Sequence, residues 1–144
     1  MRKILIVATL LAACVTATAA VALDSGAAAP VVVTPVKTSA VTSTGQPLIL
    51  PQKNVEVTAS IYDIAPGATL PVHKHPFPRY AYVLAGTIKV TNVDTGKSYT
   101  FKTGDFIVEM IDQWHQGSNI GADPVKLLVV DQIEAGAQAT VLKQ

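Results

Sequence analysis

The sequence predicts an all-β fold: a double-sheet antiparallel β-barrel of the jelly-roll kind. Three observations carry this. Short runs with apolar–polar alternation recur along the chain, the period of two that marks half-buried strands. Turn residues punctuate them at roughly the eight-to-twelve-residue spacing of a sandwich or barrel. No segment after the first twenty or so residues carries a convincing helical period. A length of 144 residues suits one domain rather than two.

The first element is a leader. Arg2 and Lys3 precede an apolar run, residues 4–13, and the stretch has no acidic residue before Asp24. A charged start and a short apolar core resemble a secretory signal peptide, and the run is too short for a spanning helix of about 20 residues. Small-x-small sites end at Ala19 and Ala22, so residues 1–22 are expected to be removed and the mature protein to be periplasmic or secreted. The alternative is a bacterial lipobox, Leu11-Ala12-Ala13-Cys14, which would anchor the protein to a membrane through a lipid on Cys14. Without Arg2 and Lys3, the eleven basic residues fall to nine, against ten acidic ones. Such a balance offers no electrostatic case for nucleic acid or an acidic membrane. Cys14 is the single cysteine, so the mature domain has no disulfide and no thiolate chemistry.

Residues 23–47 are rich in Ala, Thr, Ser, Pro and Gly and are expected to be a spacer, with an N-terminal edge strand in the β-branched run Val31–Val36. The domain proper is expected over 48–133. Residues 48–51 suggest a short strand stopped by Pro51. Residues 54–64 alternate, with Val55, Val57, Ala59 and Ile61 on one face. Strands are expected at 70–75, 80–84 and 87–93. A hairpin turn at 94–96 leads to strands at 97–102 and 106–111. Residues 114–116 follow, and 125–130 are apolar enough for a central strand. The tail, 134–144, lacks an apolar pattern and is expected to be loose.

Chemistry concentrates in residues 72–86. His73 and His75 lie at i and i+2, which on a strand puts both imidazoles on one face, able to meet one metal ion at about 2.0–2.1 Å each. His115 is the third and last histidine. On its own a His-x-His pair can equally be plain surface or core, so the neighbours matter. Gly67, His73, His75 and Gly86, then Gly104, His115 and Asn119, fall at the offsets of the two cupin motifs, G-x5-H-x-H-x3-4-E-x6-G and G-x5-P-x-G-x2-H-x3-N. The chain therefore resembles the cupin superfamily over residues 67–119. It departs at three places: Arg79 stands where the motif has glutamate, Met110 where it has proline, and Asp112 where it has glycine.

The resemblance implies the same barrel, with a divalent transition metal inside it held by His73, His75 and His115. Fe, Zn, Mn, Ni, Co and Cu all accept imidazole, so the ligands do not name the metal. Arg79 cannot ligate a cation. It could anchor an anionic substrate, face solvent or pair with a carboxylate. Glu109 interrupts the apolar run 106–110, and a buried glutamate is costly unless paired with a cation. The resemblance also implies an interior position there, and other secreted cupins lacking the motif glutamate carry Glu at this place. Glu109 is thus a candidate metal ligand, or a catalytic acid or base, the plain alternative being a surface residue. Tyr80, Tyr82 and Trp114 could line a pocket or be plain core, Phe77 could cap a barrel end, and Asn119 could be ordinary turn chemistry.

Two function classes follow. One is a small-molecule metalloenzyme, such as a dioxygenase, isomerase or lyase. The other is a non-catalytic module that binds or senses a metal or small ligand. Cupins commonly pair, and the edge at residues 31–36 suggests a homodimer. No nucleophile triad or phosphate loop is present in the sequence.

Overall fold

The computed structural model describes residues 31–144 in full and 21–23 by backbone. The expected leader therefore lies almost wholly outside the described residues. Up to Pro35 the chain forms a unit of its own. Strand β1 (Val21–Leu23) pairs antiparallel there with β2 (Val31–Val33), Val21 opposite Val33. Residues 31–33 thus do form a strand, in a two-stranded sheet with β1.

From Val36 on, nine strands among the described residues make two sheets. They are β3 (Val55–Ile64), β4 (His73–Lys74), β5 (Arg79–Ala85), β6 (Thr87–Asn92), β7 (Ser98–Lys102), β8 (Phe106–Val108), β9 (His115–Asn119), β10 (Val125–Glu134) and β11 (Val141–Leu142). One sheet runs β3-β10-β5-β8 and the other β11-β4-β9-β6-β7. All strand pairs are antiparallel. The first strand of the barrel, β3, thereby neighbours the penultimate one, β10, and the last, β11, neighbours the second, β4, so long-range register decides which side chains meet.

The core fills the space between the sheets. Ile64, Ala81, Val83, Ile107, Val125, Leu127 and Val129 come from one sheet, Ile88 and Val90 from the other, and Met110 joins them. Each large aliphatic of this kind contributes roughly 1.5–3 kcal/mol by leaving water. β10 is central, as its apolar run suggests, and it buries every second residue from Val125 to Ile133.

Two expectations are corrected. Residues 48–51 form no strand: an isolated bridge joins Val41 to Pro47 just before them, Leu48 N–H donates to the Ala40 carbonyl at 3.0 Å, and Pro51 brings no donor to a ladder. In β3 the expected alternation is present, and the register with β10 decides which face turns inward. Its inward set is Ser60, Tyr62 and Ile64, opposite the buried Val129, Leu127 and Val125 of β10, while Val55, Val57 and Ile61 stay exposed. The tail is not loose. Val141 and Leu142 pair with Lys74 and His73, and Lys143 N–H donates to the Val72 carbonyl at 2.9 Å. Main-chain bonds hold it, and these leave no side-chain pattern to see.

Backbone conformation explains two motif positions. Gly86 has φ 82°, and a Cβ there would lie 2.7 Å from the Pro124 carbonyl oxygen, so only glycine fits. Asp112, in the place of the motif-two glycine, takes φ 53°. Aspartate tolerates this left-handed conformation better than most residues. Its N–H donates to the His75 carbonyl at 2.8 Å, and its carboxylate meets Lys74 Nζ at 2.6 Å, so it fastens motif two to motif one.

Candidate metal centre

Two rows of inward-facing residues meet between the sheets. In the first sheet Arg79 lies directly opposite Asp131 of β10, and Glu109 follows β8 with its N–H bonded to the Arg79 carbonyl at 2.9 Å. Glu109, Arg79 and Asp131 therefore form one row across three strands. In the second sheet His73 and His115 are register partners on β4 and β9. His75 sits just past β4, at a parallel bridge to Ile111. The antiparallel ladder, not the chain, brings His115 beside His73.

The three imidazoles are buried, and their ring centroids lie 4.4 to 4.9 Å apart. Each offers a ligand atom, all within 4.8 Å of one another. Three backbone carbonyls set the tautomers. Nδ1–H of His73 donates to Pro71 O at 2.7 Å, that of His75 to Ala139 O at 2.9 Å, and that of His115 to Gln113 O at 2.8 Å. The lone pairs are therefore on the Nε2 atoms. His115 Nε2 is buried with no hydrogen-bond partner. Carbonyl-oriented imidazoles of this kind are how proteins hold metal ligands in place.

Glu109 faces the same point. Its Oε2 lies 3.4 Å from His75 Nε2 and 3.3 Å from His115 Nε2, with the side chain 14% exposed. Burial pushes this carboxyl up, but the contacts with His115 and His75 outweigh it and hold the group well below the usual carboxylate range. Those contacts attract only if a cation, either a proton or a metal ion, lies between lone pair and carboxylate. Burial also lowers His73 to about 4, opposed by its bond to Pro71 and reinforced by His115 and His75, so that imidazole stays neutral. Three clustered imidazole nitrogens with a carboxylate against two of them fit a single ion, and a cavity of about 20 Å³ lies beside them. Among the groups lining that space are His73, His115, Glu109, Arg79, Tyr62 and Leu70.

Arg79 does not face solvent. It is 5% exposed, and its guanidinium makes a two-pronged pair with Asp131, Nε to Oδ1 at 2.6 Å and Nη2 to Oδ2 at 2.9 Å. Burial pulls its pKa down, but the Asp131 hydrogen bonds outweigh this and raise it, so it remains a cation. Asp131 and Thr140, a second partner at 3.0 Å from Nη2, were not foreseeable from spacing. An acid in phase with the apolar Val125, Leu127, Val129 and Ile133 of β10 was the available signal for Asp131.

The remaining candidates stand apart from the histidines. Asn119 is a structural brace: its Nδ2 donates to the Ile64 and Asp123 carbonyls and its Oδ1 accepts from Gly121 N–H. Tyr80 stacks on Phe106 at 6.1 Å, and Trp114 lies under Lys74 and Lys143. Phe77 lines an open groove of about 550 Å³ with Ile49 and Leu50. The aromatic residue beside the site is Tyr62, whose inward phase on β3 puts its ring 5.9 Å from the Arg79 guanidinium.

Comparison with known proteins bears on this arrangement. No curated protein sequence matches the chain. Among solved structures, the polyketide cyclase RemF from Streptomyces resistomycificus is 20% identical, with TM-score 0.51 over 61% of this chain and 62% of its own. The oxalate decarboxylase of Lactobacillus farciminis, in a formate complex, is 27% identical, with TM-score 0.48 over 60% of this chain and 26% of its own. An uncharacterised protein with a double-stranded β-helix domain from Klebsiella pneumoniae is 22% identical, with TM-score 0.48 over 68% of this chain and 82% of its own. The chain thus spans about a quarter of the decarboxylase and less than two thirds of the cyclase. The likeness to the cyclase shows the fold alone. The family described as the cupin domain matches residues 60–131, half of the chain and the part that carries all three histidines. By that match and by its barrel, the chain belongs to the cupin family.

Proposed function

We propose that this cupin holds one divalent transition metal through His73, His75, His115 and Glu109, and acts on a small molecule beside it. One observation carries the reading: three backbone carbonyls hold the Nδ1 protons of three clustered imidazoles, which leaves three Nε2 lone pairs with the Glu109 carboxylate against two of them. Without a cation there, the arrangement is self-repulsive. Three imidazoles and a carboxylate suit Fe, Mn, Co or Ni with coordination positions to spare, and also Zn or Cu.

When bound, the ion would supply Lewis acidity and, for a redox metal, electron transfer. The chain's own residues do the rest. Pro71, Ala139 and Gln113 orient the imidazoles. Tyr62 and Leu70 shield the space from water. Glu109, held ionised, can accept a proton from a bound substrate at its free oxygen lone pair. Because three-histidine cupin sites include O₂-using iron enzymes, oxygenation is the reaction class to test first. A second reading, a non-catalytic module that stores or senses metal, is favoured by how small and enclosed the ion cavity is.

The protein is further proposed to act outside the cytoplasm, on the strength of Arg2, Lys3 and the apolar run after them. It is also proposed to pair as a homodimer. The deciding experiment is metal analysis of protein purified from its native compartment, followed by an O₂-uptake screen. One equivalent of metal with substrate-dependent uptake supports the enzyme. Metal without turnover supports the second reading, and protein carrying no transition metal rejects both.

A further inference from the structure

One of Arg79's present hydrogen bonds is lost once a metal is bound. Its Nε and Nη2 are committed to Asp131 and Thr140. Its Nη1 has one partner, His75 Nε2, at 3.4 Å. His75 donates through Nδ1 to the Ala139 carbonyl, so Nε2 carries the only lone pair in the ring plane that Nη1 can reach. That same lone pair is the one a metal would take. Loading the site therefore leaves a buried guanidinium N–H without an acceptor, in a residue 5% exposed. A buried donor left unpaired is expensive, more so when charged. Glu109 is already turned toward His75 and His115.

Charge leads to the same requirement. Arg79 and Asp131 cancel each other, and Glu109 offsets one charge of a divalent ion. One positive charge is left inside an apolar barrel, and buried charges are paired. Space for the missing group exists. A cavity of about 120 Å³, bounded also by Thr140 and Leu142, shares Tyr62, Leu70, His73 and Arg79 with the ion pocket. At about 30 Å³ of liquid volume per water, it has room for a group the size of a few waters. Its walls are apolar apart from Arg79, His73 and Thr140.

We propose that Arg79 Nη1 and the metal together form a subsite for a small aliphatic monocarboxylate. One carboxylate oxygen accepts from Nη1, and the short alkyl part lies against Tyr62, Leu70 and Leu142. Asp131 is a positioning residue, holding the guanidinium plane so that Nη1 points inward. The proposal rests on the metal site proposed above and names the ligand class of that site.

The test uses the full-length mature protein loaded with cobalt, whose visible spectrum reports ligand exchange. Cobalt stoichiometry is measured first. Acetate is then titrated, with acetamide as the neutral isostere, by absorbance and by calorimetry. The variants are Arg79→Lys, which keeps a charge beside Asp131 but loses the planar fork, and Arg79→Met with Asp131→Leu, which removes both charges and leaves neither buried alone. The expected result is acetate binding in the millimolar range or tighter and no spectral change with acetamide. In both variants acetate affinity falls by roughly tenfold or more, as for a lost charge-assisted hydrogen bond, with cobalt retained. Equal acetate affinity in wild type and either cobalt-loaded variant overturns the proposal, as does a cobalt-loaded wild type blind to acetate. Wild type that takes up no cobalt overturns the metal site, and the subsite falls with it.

Discussion

Glu109 Oε2 sits 3.3 Å from His115 Nε2, and both atoms are acceptors once the Gln113 carbonyl has claimed the ring proton on Nδ1. Two acceptors face each other across a buried gap only if something positive stands between them. If that is a metal ion, Glu109→Gln removes half the reason for the ion to stay. The neutral amide keeps the volume but not the charge. Metal affinity is expected to drop by at least roughly tenfold, the lower end for disturbing a metal shell. Calorimetric titration checks this, with circular dichroism to show that the sheets persist. Unchanged affinity in the Gln variant takes Glu109 out of the metal site.

Removing the metal is expected to lower stability as well as occupancy. The ion binds the folded barrel and has no preformed site in the unfolded chain. At free metal a hundredfold above Kd, linkage contributes about 2.7 kcal/mol. Chelation should therefore lower Tm by several degrees, and His115→Ala should make Tm independent of added metal. A Tm that ignores chelator in the wild type speaks against the site.

How much of this was visible in the chain depends on distance along it. His73, His75 and His115 were legible because strand period and motif offsets are local. The barrel was legible for the same reason: alternation and turns repeat within a few residues of each other. The partner of Arg79 was not, since Asp131 reaches it only through the β5–β10 register. Nor was the phase of β3. Alternation shows that two faces differ, but which one turns inward is settled by Ile64 and Tyr62 against β10, far away in sequence. The tail was misjudged because it is held by main-chain bonds, to which every residue but proline contributes alike.

The tail carries a prediction of its own. The Ala139 carbonyl accepts the His75 Nδ1 proton at 2.9 Å, and Thr140 Oγ1 accepts from Arg79 Nη2 at 3.0 Å. Deleting residues 139–144 should leave the core sheets folded while freeing the His75 ring. Loss of such an orienting partner typically weakens metal binding by about 10–100-fold. Restoring the tail with Thr140→Ala should recover most of that loss, because the backbone carbonyl returns. A truncated protein with wild-type affinity would show the tail to be irrelevant to the site.

Processing at the N-terminus separates two fates for the protein. Mass spectrometry of protein from an exporting host is expected to find a start just after Ala19 or Ala22. A diacylglyceryl mass on Cys14 selects the anchored form instead. An intact Met1 rejects export.

The outward stripe of β3 is the surface that most needs covering. Val55, Val57 and Ile61 are 50%, 61% and 53% exposed, and Leu128, the register partner of Ile61, continues the stripe onto β10. β3 is also an edge strand of ten residues, with one row of backbone groups unpaired in its sheet. Long apolar edges invite pairing. A second copy of the same strand, related by a two-fold axis, meets both needs, because an antiparallel edge is complementary to itself. Burying a Val or Ile is worth roughly 1.5–3 kcal/mol, so the stripes of two subunits outweigh a large part of the association cost. Light scattering of the mature domain is expected to give twice the chain mass. Val57→Lys with Ile61→Lys should give monomers whose metal content is unchanged, since both side chains point away from the histidines. A wild type that scatters as a monomer at micromolar concentration rules out this pairing. A lysine variant that stays dimeric moves the interface elsewhere.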